Sequence, residues 1–196
     1  MLWLGSGGAT IIGNRIINNS AGDHGGGIVV ASPKTTIMGN LIARNNALGL
    51  GVGDTGSGGG IWVAGPSAEI INNTLYANAG YGESVCSVGG ILIEWDQVDA
   101  RVYANVLAFN VGCGIGCENG SDAVVENNIL WDNEGADLGS DKRTCRPEWI
   151  DKQLYVDPLF CDPDGDNYSV QAGSPALTGP VIIGAFPTPG CSSASP

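Results

Sequence analysis

Glu69-Ile-Ile-Asn-Asn-Thr-Leu-Tyr-Ala-Asn78 is the stretch that decides the fold, because it recurs along the chain. Its first half has counterparts in Thr10-Ile-Ile-Gly-Asn14, Thr36-Ile-Met-Gly-Asn40, Arg101-Val-Tyr-Ala-Asn105 and Val124-Val-Glu-Asn-Asn128. A second asparagine follows each of them, at Asn19, Asn45, Asn78, Asn110 and Asn133. A third element comes after each pair: Gly26-Gly-Ile-Val-Val30, Gly59-Gly-Ile-Trp-Val63, Gly89-Gly-Ile-Leu-Ile93 and Cys113-Gly-Ile-Gly-Cys117, with a weaker copy at Ala136-Asp-Leu-Gly-Ser140. The first asparagines stand 26, 33, 32 and 23 residues apart, the range in which repeats stack into solenoids.

This pattern predicts an all-β chain, a single-stranded right-handed parallel β-helix of about six coils with three strands per coil and corners at asparagine. Alternation within each strand turns one set of side chains inward. Ile11, Ile37, Ile70, Val102 and Val125 form the inward column of the first strand. Ile16, Ile42, Leu75, Leu107 and Leu130 form that of the second, and Ile28, Ile61, Ile91, Ile115 and Leu138 that of the third. One coil cannot bury its own apolar face, so stability has to come from stacking. The asparagine columns are expected inside the corners, with their amides bonded from coil to coil. A leucine-rich horseshoe would need leucine at fixed spacing and a helix per repeat. An antiparallel sandwich would not need columns of one residue type.

Residues 1–140 are read as coils, and residues 141–196 as the last coil and an irregular C-terminal cap in the same domain. Leu2-Trp3-Leu4 aligns with Ile28-Val29-Val30, so the sequence opens inside a third strand. That start implies either further residues upstream or a contact with another copy at this end. The opening residues are too few for a signal peptide and lack a basic flank.

Composition agrees with a chain of tight turns: 32 glycines and 14% charged residues among 196, with 43% hydrophobic. A net charge of −12 argues against nucleic acid or an anionic membrane as partner. No apolar run approaches the roughly 20 residues of a membrane-spanning helix. Six cysteines point to an oxidising compartment, and hence to a secreted or cell-surface protein. Cys86 and Cys113, on neighbouring coils, are expected to pair. Two of Cys145, Cys161 and Cys191 are expected to pair in the cap, and Cys117, in an inward column, is read as a buried free thiol.

The Asn-Asn repeats, the Gly-Gly-Ile strands, and the ending Asp157-Pro-Leu-Phe160, Gly173-Ser-Pro-Ala176 and Ile183-Gly-Ala185 resemble bacterial secreted right-handed β-helix repeat proteins of the pectate-lyase-like superfamily. The resemblance implies fold and export more strongly than activity. Lyases of that superfamily set a basic residue beside calcium-binding carboxylates, and no lysine or arginine joins the acidic column described next. Its inverting galacturonases use clustered aspartates, whereas the column here is mostly glutamate.

That column is Glu94, Glu118 and Asp141, each three residues after Ile91, Ile115 and Leu138, so the three are expected to stack on the outer surface. Stacked carboxylates can share acid and base roles on a glycosidic bond. Trp62, Trp95 and Asp96 nearby would hold a sugar ring, an indole offering a flat apolar face. Asp162, Asp164 and Asp166, alternating around Gly165, resemble a calcium loop without the glutamate of an EF-hand. No cofactor is required by this reading, and Ca2+ is the one ion it entertains. The segments 20–25, 46–58 and 79–88 vary most in length and are expected to project from one edge, carrying Asp23, His24, Asp54, Tyr81 and Glu83. His24 beside Asp23 is weighed as a general base against a simply exposed side chain. Outward positions Trp3, Val29, Trp62, Leu92 and Gly116 contain no threonine array, which sets ice binding aside. The leading expectation is a scaffold that binds polysaccharide or other copies of itself, with a carbohydrate-active enzyme as the rival.

Overall fold

In a computed structural model, residues 1–5, 7–50, 56–82, 87–94, 99–117, 121–139, 145 and 150–191 are described. They form a right-handed parallel β-helix with the predicted register. The first sheet stacks Thr10–Ile12, Thr36–Met38, Glu69–Ile71, Arg101–Tyr103, Val124–Glu126 and Ile150–Asp151. The second stacks Arg15–Ile17, Leu41–Ala43, Thr74–Tyr76, Val106–Ala108 and Ile129–Trp131. The third stacks Leu2–Leu4, Ile28–Val30, Ile61–Val63, Val88–Ile93 and Cys113–Cys117, and Leu138 bridges onto Ile115. Pairing is residue on residue, Ile70 lying between Ile37 and Val102, and Ile61 between Ile28 and Ile91. The inward columns are almost wholly buried and form one core. Each such aliphatic side chain contributes roughly 1.5–3 kcal/mol.

Both asparagine columns are ladders. Asn73 Oδ1 accepts from the backbone N–H of Asn40 at 3.0 Å and from Asn40 Nδ2 at 3.0 Å. Asn73 Nδ2 donates onward to Asn105 Oδ1 at 3.0 Å and back to the Ile37 carbonyl at 2.8 Å. The second column repeats this from Asn19 through Asn45, Asn78 and Asn110 to Asn133, and ends on Asp137. Every polar atom in the corner is thereby paired, as burial demands. The residue before each asparagine is left-handed: Gly13, Gly39, Asn72, Ala104 and Asn127 in one column; Asn18, Arg44, Ala77, Phe109 and Asp132 in the other. For alanine or phenylalanine that conformation costs about 1–2 kcal/mol, which the ladder offsets.

The glycine pairs that open the third strands answer to a steric demand. A Cβ on Gly59 would lie 2.3 Å from the Ala79 carbonyl oxygen, and one on Gly90 would lie 2.1 Å from that of Gly114. Backbones of adjacent coils touch at this corner, so no side chain fits.

Four features depart from the sequence reading. First, Ser20–Ala21, Asn46–Ala47 and Ala79–Gly80 do not project; they pair as a short fourth sheet, so three coils carry four strands. The chain leaves the asparagine corner extended, and pairing satisfies its backbone groups. Second, the asparagine ladder is extended by a glutamine on the last coil, within the residues 141–196 where that coil was expected. Ile150 pairs with Val125, and Gln153 takes the ladder position after Asn128, accepting from Asn128 Nδ2 at 3.1 Å.

Third, Cys117 is not a free thiol. It is bonded to Cys145, with Cα atoms 4.6 Å apart, inside the core column where hydrophobic residues sit on other coils. Cys161 and Cys191 pair as expected, at 5.2 Å between Cα atoms. Cys113 is disulfide-bonded, while its expected partner Cys86 lies outside the described residues.

Fourth, the C-terminal tail does not sit across the end of the solenoid. Residues 156–186 lie along its side, over the outer face of the second sheet. Tyr168 and Phe160 pack on Leu41, Ala43, Tyr76 and Ala108, while Val170, Ala176 and Ile183 pack on Val106 and Ile129. The hairpin Phe160–Asp162/Asn167–Val170 and the short helix Pro175–Thr178 shape this strap. Arg44 Nη1 to Asp166 Oδ1 at 2.9 Å, the Ala104 carbonyl accepting from Gly184 at 2.8 Å, and Thr74 Oγ1 accepting from Ala185 at 3.0 Å pin it down. The apolar outer residues of the second sheet required a cover, and the tail provides it.

Candidate functional site

Third-strand register puts Trp3, Val29 and Trp62 in one outward column on successive coils. Val29 is 1% exposed, covered where Gly25 lies against it; Trp3 is 57% exposed and Trp62 partly buried. The outward column is therefore not a continuous apolar surface, as its composition implied. Leu92 is covered as well, packed with Val88, Cys113, Ala136 and Trp62. What remains open is the end between the two tryptophans.

His24 and Asp23 close this end. His24 precedes Ile28 by the same four residues that separate Ser57 from Ile61, so register stacks the one on the other. The Ser57 backbone N–H donates to His24 Nδ1 at 3.2 Å. Nδ1 must then be the acceptor nitrogen, leaving Nε2 to carry the proton, 3.4 Å from Asp23 Oδ1. The imidazole is tilted against the Trp62 indole with centroids 4.9 Å apart, and its side chain is 14% exposed. His24 is thus not simply exposed, and its Nδ1 accepts from a backbone amide.

Trp62 is fixed from its other side: its Nε1–H donates to Glu94 Oε2 at 2.5 Å. Of the three carboxylates expected to stack, Glu94 is thereby engaged in orienting an indole. Glu118, Asp141, Trp95 and Asp96 lie outside the described residues, as do Asp54 and Glu83. Trp3, Trp62, Asp23, His24 and Leu50 surround a depression of about 580 Å3. An indole pair with the Asp23 carboxylate in the same lining can stack apolar ring faces and accept hydrogen bonds from hydroxyls.

Two of the three aspartates of residues 162–166, Asp162 and Asp166, have other work. Asp162 Oδ1 accepts from the Gly165 N–H at 3.1 Å and shapes the hairpin turn, while Asp166 pairs with Arg44 and accepts from the Tyr168 hydroxyl at 3.3 Å. Among the described residues, no three His, Cys, Asp or Glu side chains converge on a metal position. A second depression, on the first sheet, holds Lys34, Glu69, Asp99 and Arg101. Its charges are largely spent internally. Asp99 accepts from Ser67 N–H at 2.5 Å, which holds its carboxyl below the usual range, and Arg101 reaches Glu126 at 3.4 Å.

The sequence reading singled out Trp62, Asp23 and His24 separately, and missed that they meet beside Trp3. The signal was the shared offset of His24 and Ser57 from their strands.

A family model described as "Right handed beta helix region" matches residues 2–145. Neither among curated proteins nor among solved structures does the chain find a match.

Proposed function

We propose that this chain, which belongs to the right-handed β-helix family, is a secreted or surface-exposed scaffold that binds carbohydrate on the outer flank of its third sheet. The observation that carries the reading is the pair Trp3 and Trp62, two rungs apart in one column and lining one depression with Asp23. Binding rather than turnover is favoured by what the neighbouring groups already do. Glu94 holds Trp62 and His24 accepts from Ser57, so both of these groups have a structural partner. The disulfides Cys117–Cys145 and Cys161–Cys191 fit an oxidising compartment.

Affinity electrophoresis against a panel of soluble polysaccharides tests the reading. Retardation by at least one of them, lost in Trp62→Ala and Trp3→Ala proteins whose melting curves match the parent, is the expected result. No retardation in the parent, or retardation untouched by both substitutions, overturns it. Release of reducing ends by the parent, abolished in Glu94→Gln, would replace it with the enzymatic alternative.

A further inference from the structure

We infer that the two ends of this solenoid bind each other between copies, the N-terminal turn of one stacking head to tail on the C-terminal turn of the next. The inference is independent of the carbohydrate reading and concerns the ends of the helix, not its flank.

Register makes the ends match. At one end the outermost rungs of the third, first and second sheets are Leu2–Leu4, Thr10–Ile12 and Arg15–Ile17. At the other they are Leu138, which bridges Ile115, then Ile150–Asp151, then Leu154, which bridges Ile129. The step from one turn to the next therefore falls at the same place at both ends, between the second and third sheets. A second copy fits the last turn without rotation, Leu2 continuing the column of Leu138, and Ile11 that of Ile150. Tyr155, one residue past the Leu154 bridge, falls in the column that Ile16 would continue. Leu2 is 40% exposed and Tyr155 54%, so these apolar positions are uncovered at both ends. Open strand edges of this kind pair with further strands.

The ladder supplies polarity. Within the molecule a ladder oxygen takes two donors from the preceding turn, as Asn40 Oδ1 does from the N–H and Nδ2 of Asn14. Asn14 Oδ1 itself accepts from no donor among the described residues. Gln153 holds the complementary pair. Its Nε2 donates to the carbonyls of Val125 at 2.8 Å and Asp151 at 2.7 Å, but lacks the onward bond that Asn73 Nδ2 makes to Asn105. Its backbone N–H likewise meets no acceptor among the described residues. Stacking in register brings both donors to Asn14 Oδ1 of the next copy. Two N-terminal turns set face to face would oppose oxygen to oxygen.

Charge favours the same arrangement. Residues 1–50 contain three Lys or Arg and one Asp, whereas residues 51–196 contain five and nineteen acidic residues. Glu126, Asp132, Asp137 and Asp151 belong to the last turns, and Arg15 to the first. Head-to-tail contact sets opposite signs together, and contact between like ends does not. Because the contact joins two different surfaces, it does not close on itself in a dimer.

Sedimentation velocity over a dilution series, at low and high salt, tests this. The expected result is a mass that rises with concentration past the dimer without a plateau, and falls as salt is added. Leu2→Glu blocks one end and Tyr155→Glu the other, both at exposed positions, with melting curves checking the fold of each. Either variant alone should associate at least about tenfold more weakly than the parent. An equal mixture of the two retains one intact pair of ends and should give a one-to-one dimer that grows no further. A parent that stays monomeric throughout, or that stops at a dimer, overturns the inference. So does association as strong in both variants as in the parent, which would place the contact on another surface.

Discussion

The first and second sheets share a corner, a ladder and a core, yet their outer faces have opposite fates. On the second sheet, Leu41, Ala43, Val106, Ala108 and Ile129 point away from the axis and are nonetheless buried, because the C-terminal strap lies over them. On the first sheet, the outward Ile12 and Met38 are 52% and 36% exposed, and their neighbours include Glu126 and Asp151. A strand in this solenoid is not amphipathic by rule. Its outer composition records what passes over it.

The largest test of that contrast is Tyr168→Ala. Tyr168 is 1% exposed, faces the edge of Tyr76 and lies near the guanidinium of Arg44. Removing a buried aromatic of this size costs about 3–5 kcal/mol, read as a lowered urea midpoint. Hydrogen exchange should accelerate at second-sheet amides well before first-sheet ones, and equal acceleration in both would abolish the distinction. Asn73→Ala should cost somewhat less, about 2–3 kcal/mol, because it strands buried donors of Asn40. It sits at the corner common to both sheets, so it should loosen both together; loosening confined to one would mean the ladder is not shared. Met38→Ser, on the uncovered face, should change stability by less than about 0.5 kcal/mol in a thermal melt. A larger loss would mean that something covers the first sheet too.

The interior of this molecule was legible because stacking forces like onto like. Five isoleucine and valine positions in the first column, and five asparagines beside them, announce a common axis without any knowledge of what surrounds it. Two ladder features were harder to see. Gln153 does the work of asparagine under another name, and the left-handed residue before each asparagine varies from glycine to phenylalanine. Outer faces depend on long-range packing and were misjudged. Val106-Leu-Ala108 and Leu41-Ile-Ala43 are continuously apolar, the pattern of strands buried on both sides, but Arg15-Ile-Ile17 and Thr74-Leu-Tyr76 in the same sheet read like Glu69-Ile-Ile71 and Arg101-Val-Tyr103 in the first. The mixed pattern is why strand composition did not place the tail on the flank. Cys145 escaped for a related reason, since it enters the core from beyond the last register position that the repeat defines.

The candidate site was half legible. Strand register gave the Trp3–Trp62 column, but burial of Val29 and Leu92 and the covering of His24 follow from three-dimensional contacts that alternation does not encode. Glu94 was singled out for its charge, yet its observed role is set by the indole beside it.

The ladders also have a grammar. From Asn14 to Asn128 each amide nitrogen donates to the amide oxygen on the following coil, the last of them to Gln153 Oε1. A segment spliced in backwards, or cut at half a turn, would present nitrogen to nitrogen. The ladder can therefore gain or lose rungs only by whole turns inserted in the same sense, while the length of chain between rungs is free to vary, as the spacings of 26, 33, 32 and 23 residues record.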